Sequence, residues 1–212
     1  SCNLSADKVV DKGLEGTEFD MVMRDGGGKM SLHVTLPVPG VQNIYNALAA
    51  ADVGMKMGLS PMQIRAAFEK MKGADGRGNV IKTPKYTILD DCYNASPKSV
   101  ESSLQMLSSL SGRRVAILGD MLELGDQSDK MHFRVGKAAG QAGIDVIICV
   151  GKSSEKTYMG ARMSTDNQVE LFRDKDECIE ALPDILKSGD SILVKASNAM
   201  KFSEIVEALR NL

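Results

Sequence analysis

Asp90, Asp91, Tyr93 and Asn94 fall within five residues, Asp-Asp-Cys-Tyr-Asn, between an apolar run from Tyr86 to Leu89 and the dipeptide Ser96-Pro97. Serine at an N-cap offers its oxygen to the unpaired N–H groups of a helix, and proline at the first helical position gives up a donor that has no partner there. The two carboxylates, the phenol and the carboxamide are therefore expected where a strand stops and a helix begins. In open α/β sheets the crevice at the carboxyl ends of the strands is where ligands bind.

Three further apolar runs end in similar chemistry. Val115 to Leu118 leads into Gly119-Asp120-Met121-Leu122-Glu123-Leu124-Gly125, Val146 to Val150 into Gly151-Lys152, and Ile192 to Val194 into Lys195-Ala196-Ser197-Asn198. If these runs are parallel strands, Asp91, Asp120, Glu123, Lys152, Lys195 and Ser197 line one rim. Each has a plainer reading: Asp120 and Glu123 as helix caps or solvated groups, Lys195 as a solvated strand end. A rim of acids, amides and lysines suits a nucleotide or an anionic peptide better than a hydride cofactor, and no G-x-G-x-x-G follows any strand. His132 is expected either to orient the Asp120 loop or to face water.

The elements that must hold these groups alternate. Strands are expected at 79–83, 86–89, 114–118, 145–150, 169–172 and 191–194. Helices are expected at 97–110, 131–142, 153–163, 175–187 and 201–212. Short apolar strands separated by helices indicate a doubly wound, mostly parallel, Rossmann-like sheet covered on both faces. Upstream, residues 17–23 and 29–36 flank Asp25-Gly26-Gly27-Gly28 as an antiparallel hairpin. Two helices follow, one from Val41 to about Met57 and one opened by Ser60-Pro61. The glycine run is not a phosphate loop, because that pattern would need glycine at Met23 and serine or threonine at Met30. Asn43 and Asn46 share a helix face. Either one of them caps the helix, or both amides point at a ligand on its N-terminus. Lys72 to Gly78 contains three glycines and marks a domain boundary. Arg77 within it could reach a phosphate or ribose, or be a solvated linker charge.

Composition narrows the classes. Hydrophobic residues make up 43% of the 212, enough for an ordinary core. A net charge of −2 gives no reason to expect nucleic acid or an anionic membrane as partner. No apolar run approaches the roughly 18 residues of a membrane span, and no signal peptide is evident. Cys2, Cys92, Cys149 and Cys178 form no C-x-x-C pair, so a structural zinc site is not expected and a reducing cytoplasm is.

These motifs resemble the Mur ligase family of cell-wall enzymes. The resemblance runs through Asp-Asp-Cys-Tyr-Asn-Ala-Ser-Pro at 90–97, Leu-Gly-Asp-Met-Leu-Glu-Leu-Gly at 118–125 and Leu193-Val194-Lys195. It extends to Pro39-Gly40-Val41-Gln42-Asn43 with Asn46 and Ala47, and so covers almost the whole chain. Gln42 stands where the family has His, and Asn198 where the family's Lys-Gly-Ser-Arg has Arg. The resemblance implies a three-domain enzyme, with residues 1–74 the tail of the central ATP-binding domain and 75–212 the whole C-terminal domain. The phosphate loop and most magnesium ligands would lie upstream, leaving the chain a fragment inactive by itself. It implies ATP-dependent amide formation through an acyl phosphate, with ATP and Mg2+ required. The motif wording is that of members whose substrates are UDP-N-acetylmuramoyl-tripeptide and D-alanyl-D-alanine. Position by position, Asn43 and Asn46 would touch adenine, Arg77 and Asp91 the ribose or phosphates, and Tyr93 and Asn94 the nucleotide or incoming peptide. Lys195 and Ser197 would lie near the dipeptide or acyl group, with Asp120 in the vicinity. No catalytic side chain and no metal ligand is assigned within the chain, and a monomer without membrane insertion is expected. The competing readings are a stand-alone nucleotide- or peptide-binding module and a related ligase acting on folate or another amino acid.

Overall fold

The computed structural model describes residues 4–25, 28–71, 76 and 78–212. Arg77 lies outside the described residues, as does most of the glycine-rich segment 72–78. The chain divides into two compact units, Ser1–Gly73 and Ala74–Leu212.

In the first unit, strands β1 (Leu4–Asp11), β2 (Thr17–Asp25) and β3 (Gly28–Leu36) form an antiparallel meander in that order. Alternation drives it: Phe19 and Met21 of β2 and Val34 and Leu36 of β3 are buried on one face. That face packs on helices α1 (Asn43–Lys56) and α2 (Pro61–Phe68) through Ile44, Ala47, Ala51, Ile64 and Phe68. Ser60 caps α2 in a reciprocal pair with Gln63, each side chain accepting from the other's backbone N–H. Helix α1 has no such device; its N-cap is Gln42, which makes no side-chain cap bond.

The second unit is a six-stranded sheet in the order β4-β5-β9-β6-β7-β8. Its strands are β4 (Asn79–Lys82), β5 (Thr87–Asp90), β6 (Arg114–Gly119), β7 (Val146–Val150), β8 (Gln168–Phe172) and β9 (Ser191–Lys195). Only the edge strand β4 is antiparallel to its neighbour. All five residues of β7 and of β9 are buried, as expected of strands covered on both faces. Helices α3 (Pro97–Ser108), α4 (Ser128–Gln141) and α5 (Ser154–Arg162) pack together on one face. Helices α6 (Lys175–Ile185) and α7 (Ser203–Asn211) cover the other, with Cys178, Leu182, Phe202, Ile205 and Leu209 over Ile117, Ile148, Ile192 and Val194.

Helix α6 runs through Pro183 without a break. Asp174 stops its N-terminus from fraying by accepting from the N–H groups of Asp176 and Glu177. Helices α4 and α5 cross at backbone contact. A Cβ on Gly136 would lie 2.0 Å from the Thr157 carbonyl oxygen, and one on Gly160 would lie 2.2 Å from that of Phe133.

Candidate functional site

Strand β9 lies between β5 and β6 and is parallel to both, so the carboxyl ends of all three open on one edge. This is the position in the sheet where the chain's direction of travel reverses, and a crevice there is a consequence of topology. The Asp91 N–H continues the ladder onto the Val194 carbonyl at 3.0 Å, which places Asp91 beside Lys195. Lys195 is only 2% exposed, and its Nζ donates to Asp91 Oδ2 at 2.5 Å and to the Asn94 carbonyl oxygen at 3.1 Å. From α3, Ser103 Oγ donates to the same Asp91 oxygen at 2.7 Å. The lysine thus ties the loop after β5 to the end of β9. Asp90 turns inward: its carboxylate accepts from the Gly76 N–H, the Cys92 N–H and the Cys92 thiol. Burial, then the neighbouring Asp90 carboxylate, pushes the Cys92 thiol up to about 12, so it is no nucleophile near neutrality.

The loop after β6 is held from three sides. Asp120, 6% exposed, accepts from the Ser154 N–H and Ser154 Oγ, both at 2.7 Å, and from the Ser153 N–H at 3.2 Å. It therefore caps α5, which follows only after α4 and β7. Gly151, at φ +115°, makes room for it, since a Cβ there would lie 2.7 Å from Asp120 Oδ1. His132, fully buried in α4, sits with Nδ1 2.8 Å from the Ser128 carbonyl oxygen and Nε2 2.9 Å from the Met121 nitrogen. A carbonyl can only accept, so Nδ1 carries the proton and Nε2 accepts the Met121 N–H. Ser197 closes the third side: its Oγ accepts the Leu122 N–H at 2.9 Å and its N–H donates to the Asp120 carbonyl at 3.1 Å.

Between the three loops lies an open cleft of about 590 Å³ whose walls include Tyr93, Asn94, Glu123, Ser197, Asn198 and Lys201. It offers hydroxyl, carboxamide and backbone groups, one carboxylate and one ammonium, and no activated nucleophile. Such a surface binds and orients a polar ligand.

The expected rim is therefore real but thinner than the sequence suggests. Tyr93, Asn94, Glu123 and Ser197 reach the cleft. Lys195 and Asp120 do not stand on the open edge. Lys195 points toward the α3 side because strand alternation sets it opposite Val194, and Asp120 is drawn under Gly151 by the α5 N-terminus. Asp91 is half-buried between Lys195 and Ser103 of α3. His132 orients the Asp120 loop and does not face water. Lys201 was not among the expected residues. It follows β9 by six positions and reaches the cleft only because a 3-10 turn, Asn198–Met200, folds the chain back.

In the first unit, the Asn43 side chain donates to the Pro39 carbonyl at 2.8 Å and accepts from the Asn46 carboxamide at 3.1 Å. The shared face is confirmed, but neither amide caps α1. Among the described residues no group of three or more His, Cys, Asp or Glu side chains could hold a metal ion, and no helix is long and apolar enough to cross a membrane.

Comparison with known proteins points one way. The profile described as "Mur ligase, glutamate ligase domain" matches residues 76–198. The chain is similar to the UDP-N-acetylmuramoyl-tripeptide--D-alanyl-D-alanine ligase of Escherichia coli (strain K12), with 39% identity over 199 residues, 92% of this chain and 42% of the relative. In structure it is similar to MurF from Acinetobacter baumannii, with a TM-score of 0.87 at 26% identity, covering 99% of this chain and 46% of that one. A more distant likeness of fold, at a TM-score of 0.74 and 22% identity, is to MurF ligase from Thermotoga maritima in complex with ADP, again 99% of this chain and 46% of that one. The chain thus spans less than half the length of these relatives.

Proposed function

Since the chain belongs to the Mur ligase family, we propose that it supplies the C-terminal part of an ATP-dependent ligase joining D-alanyl-D-alanine to UDP-N-acetylmuramoyl-tripeptide in peptidoglycan precursor synthesis. On this reading residues 1–74 are the tail of the ATP-binding central domain and 75–212 the C-terminal domain. The observation that carries it is the three-loop cleft after β5, β6 and β9, in a chain 39% identical to a ligase of that name over 92% of its length.

In such a reaction the tripeptide carboxylate attacks the γ-phosphate of ATP, and the dipeptide amine then displaces phosphate from the acyl phosphate. Catalysis of this kind is mostly positioning and charge neutralisation. This chain's residues would serve the positioning. Asn43 and Asn46 are assigned to the adenine; their mutual hydrogen bond fixes both amides in advance. Asp91 is assigned to the ribose or phosphates, its carboxylate oriented by Lys195 and Ser103. Arg77 is assigned to the same ligand. Tyr93, Asn94 and Ser197 are assigned to the peptide side, while Asp120 and Lys195 act by holding the loops. Mg2+, which the family's chemistry calls for, is assigned mostly to ligands in the region upstream of this chain. A soluble cytoplasmic monomer is the corresponding expectation for the whole enzyme.

The test is phosphate release from ATP by a chimera in which the N-terminal region of the Escherichia coli relative precedes residues 4–212. Release is expected to require both UDP-N-acetylmuramoyl-tripeptide and D-alanyl-D-alanine. Release indifferent to the dipeptide would overturn the assignment.

A further inference from the structure

Asp90 and Asp91 are adjacent, yet their carboxylates go different ways. Asp91 meets Lys195 and Ser103. Asp90, 7% exposed, meets neutral donors: the Gly76 N–H at 3.1 Å, the Cys92 N–H at 3.4 Å and the Cys92 thiol at 3.0 Å. Among the described residues it forms no ion pair. A carboxylate buried without a cation costs stability, so its place calls for a reason beyond packing. The reason lies at Gly76, which is held at both ends. Its N–H donates to Asp90 Oδ2, and its carbonyl accepts the Tyr93 N–H at 2.8 Å. Its φ of +69° suits glycine, and a Cβ there would lie 2.9 Å from the Tyr93 nitrogen and 3.1 Å from Tyr93 Cβ. The pairing of Asn79 with Asp90 ends the β4–β5 ladder. The clasp through Gly76 carries that pairing past the strand ends and into the loop. From the opposite side Lys195 holds the Asn94 carbonyl. The backbone of Tyr93 and Asn94 is thus tied once toward β4 and once toward β9.

We propose that Asp90 is a positioning residue: it touches no ligand, and by holding Gly76 it sets where the Tyr93–Asn94 backbone stands in the cleft wall. Both of its oxygens are engaged, and it is not among the residues that wall the cleft. The two consecutive acids then have separate tasks, Asp91 toward the nucleotide and Asp90 toward the loop. The inference rests on the ligase reading for one point only, which ligand Tyr93 and Asn94 meet; on that reading it is the incoming dipeptide.

The test compares Asp90→Ala, Gly76→Ala, their double variant and Asp90→Asn in the chimera described above. The two alanine variants break the clasp from opposite ends. Each is expected to raise the KM for D-alanyl-D-alanine about tenfold and to leave the KM for UDP-N-acetylmuramoyl-tripeptide unchanged. The double variant should be no worse than the worse single one, because both changes break one linkage. Asp90→Asn keeps an oxygen for the Gly76 N–H and should restore most of the wild-type KM. A merely structural role would lower kcat through loss of folded enzyme and leave every KM alone. That outcome, or single effects that multiply in the double variant, would overturn the proposal. Amide hydrogen exchange in the 212-residue chain reads the same clasp without catalysis. Tyr93 is expected to exchange faster in Asp90→Ala and Gly76→Ala than in wild type, with residues 146–150 of β7 unchanged. If Asp90→Ala does not fold, Gly76→Ala carries both comparisons, and unchanged exchange at Tyr93 would sink the clasp. In the unsubstituted chimera, phosphate release that ignored D-alanyl-D-alanine would sink the ligase reading instead and leave the clasp to be decided by exchange.

Discussion

Lys195 Nζ and Asp91 Oδ2 lie 2.5 Å apart across 104 residues of sequence, the lysine 2% and the aspartate 22% exposed. Removing one member of such a pair strands the other in a medium that solvates it poorly, whereas replacing both by apolar groups is often tolerated. Lys195→Met is expected to lower stability by about 3 kcal/mol. Adding Asp91→Leu should recover most of the loss. Urea midpoints of the two single variants and the double variant would check this; simple additivity would show that the pair is uncoupled.

His132 is the acceptor for the Met121 N–H, and nothing apolar of its shape can be. His132→Leu leaves that buried amide unsatisfied, at an expected cost of about 1–3 kcal/mol. Because the amide belongs to the loop that carries Glu123, the loss should appear locally as faster hydrogen exchange at Met121 and Leu122. Exchange there unchanged from wild type would remove His132 from the loop's support.

The α4–α5 crossing leaves no space for a methyl group at Gly160. Gly160→Ala is expected to destabilise by about 3 kcal/mol or more. Helix propensity alone would make the same change stabilising by about 1 kcal/mol. The sign of the change in thermal midpoint decides between the two effects.

Three buried thiols give an alkaline limit to stability. Burial pushes Cys178 up to about 12, and burial with the adjacent Asp90 does the same for Cys92; burial raises Cys149 too, from the ordinary 9.0 of a free thiol. Between about pH 9 and 12 the unfolded chain has lost these protons and the folded chain keeps them. The folded state then binds more protons, so unfolding free energy falls as pH rises. Below pH 9 both states are protonated and the effect vanishes. The urea midpoint is expected to drop above pH 9 and to drop less in a Cys92→Ala, Cys149→Ala, Cys178→Ala variant. In a Cys2→Ser background, a thiol reagent at pH 8 should react only after denaturation.

The local signals in the sequence were strong wherever chemistry and geometry coincide at short range. Ser60-Pro61 and Ser96-Pro97 announce the starts of α2 and α3, and the all-apolar runs at 115–118, 146–150 and 192–194 announce buried parallel strands. The motifs after those runs announced the edge where the cleft lies. Pairing was not legible, because it depends on which strands are neighbours. Nothing near Lys195 says that β9 enters beside β5, so the lysine read as a rim group when it is an internal tie. Asp120 read as a possible cap for the next helix, and the helix it caps arrives 34 residues later. Lys201 was invisible for a different reason. Its place in the cleft is set by a left-handed backbone that lysine does not favour by itself.

The insertion of β9 between β5 and β6 also bears on how the molecule is made. Strands β4 to β8 leave the ribosome first, as two pieces with no native hydrogen bonds to join them, each exposing an apolar edge. Direct pairing of β5 with β6 would be a plausible but wrong closure, and the true one waits for residues 191–195. The second unit should therefore finish folding only after nearly all of it has been synthesised. Its vulnerable interval, when a chaperone would matter most, is the time taken to translate from Gly119 to Lys195.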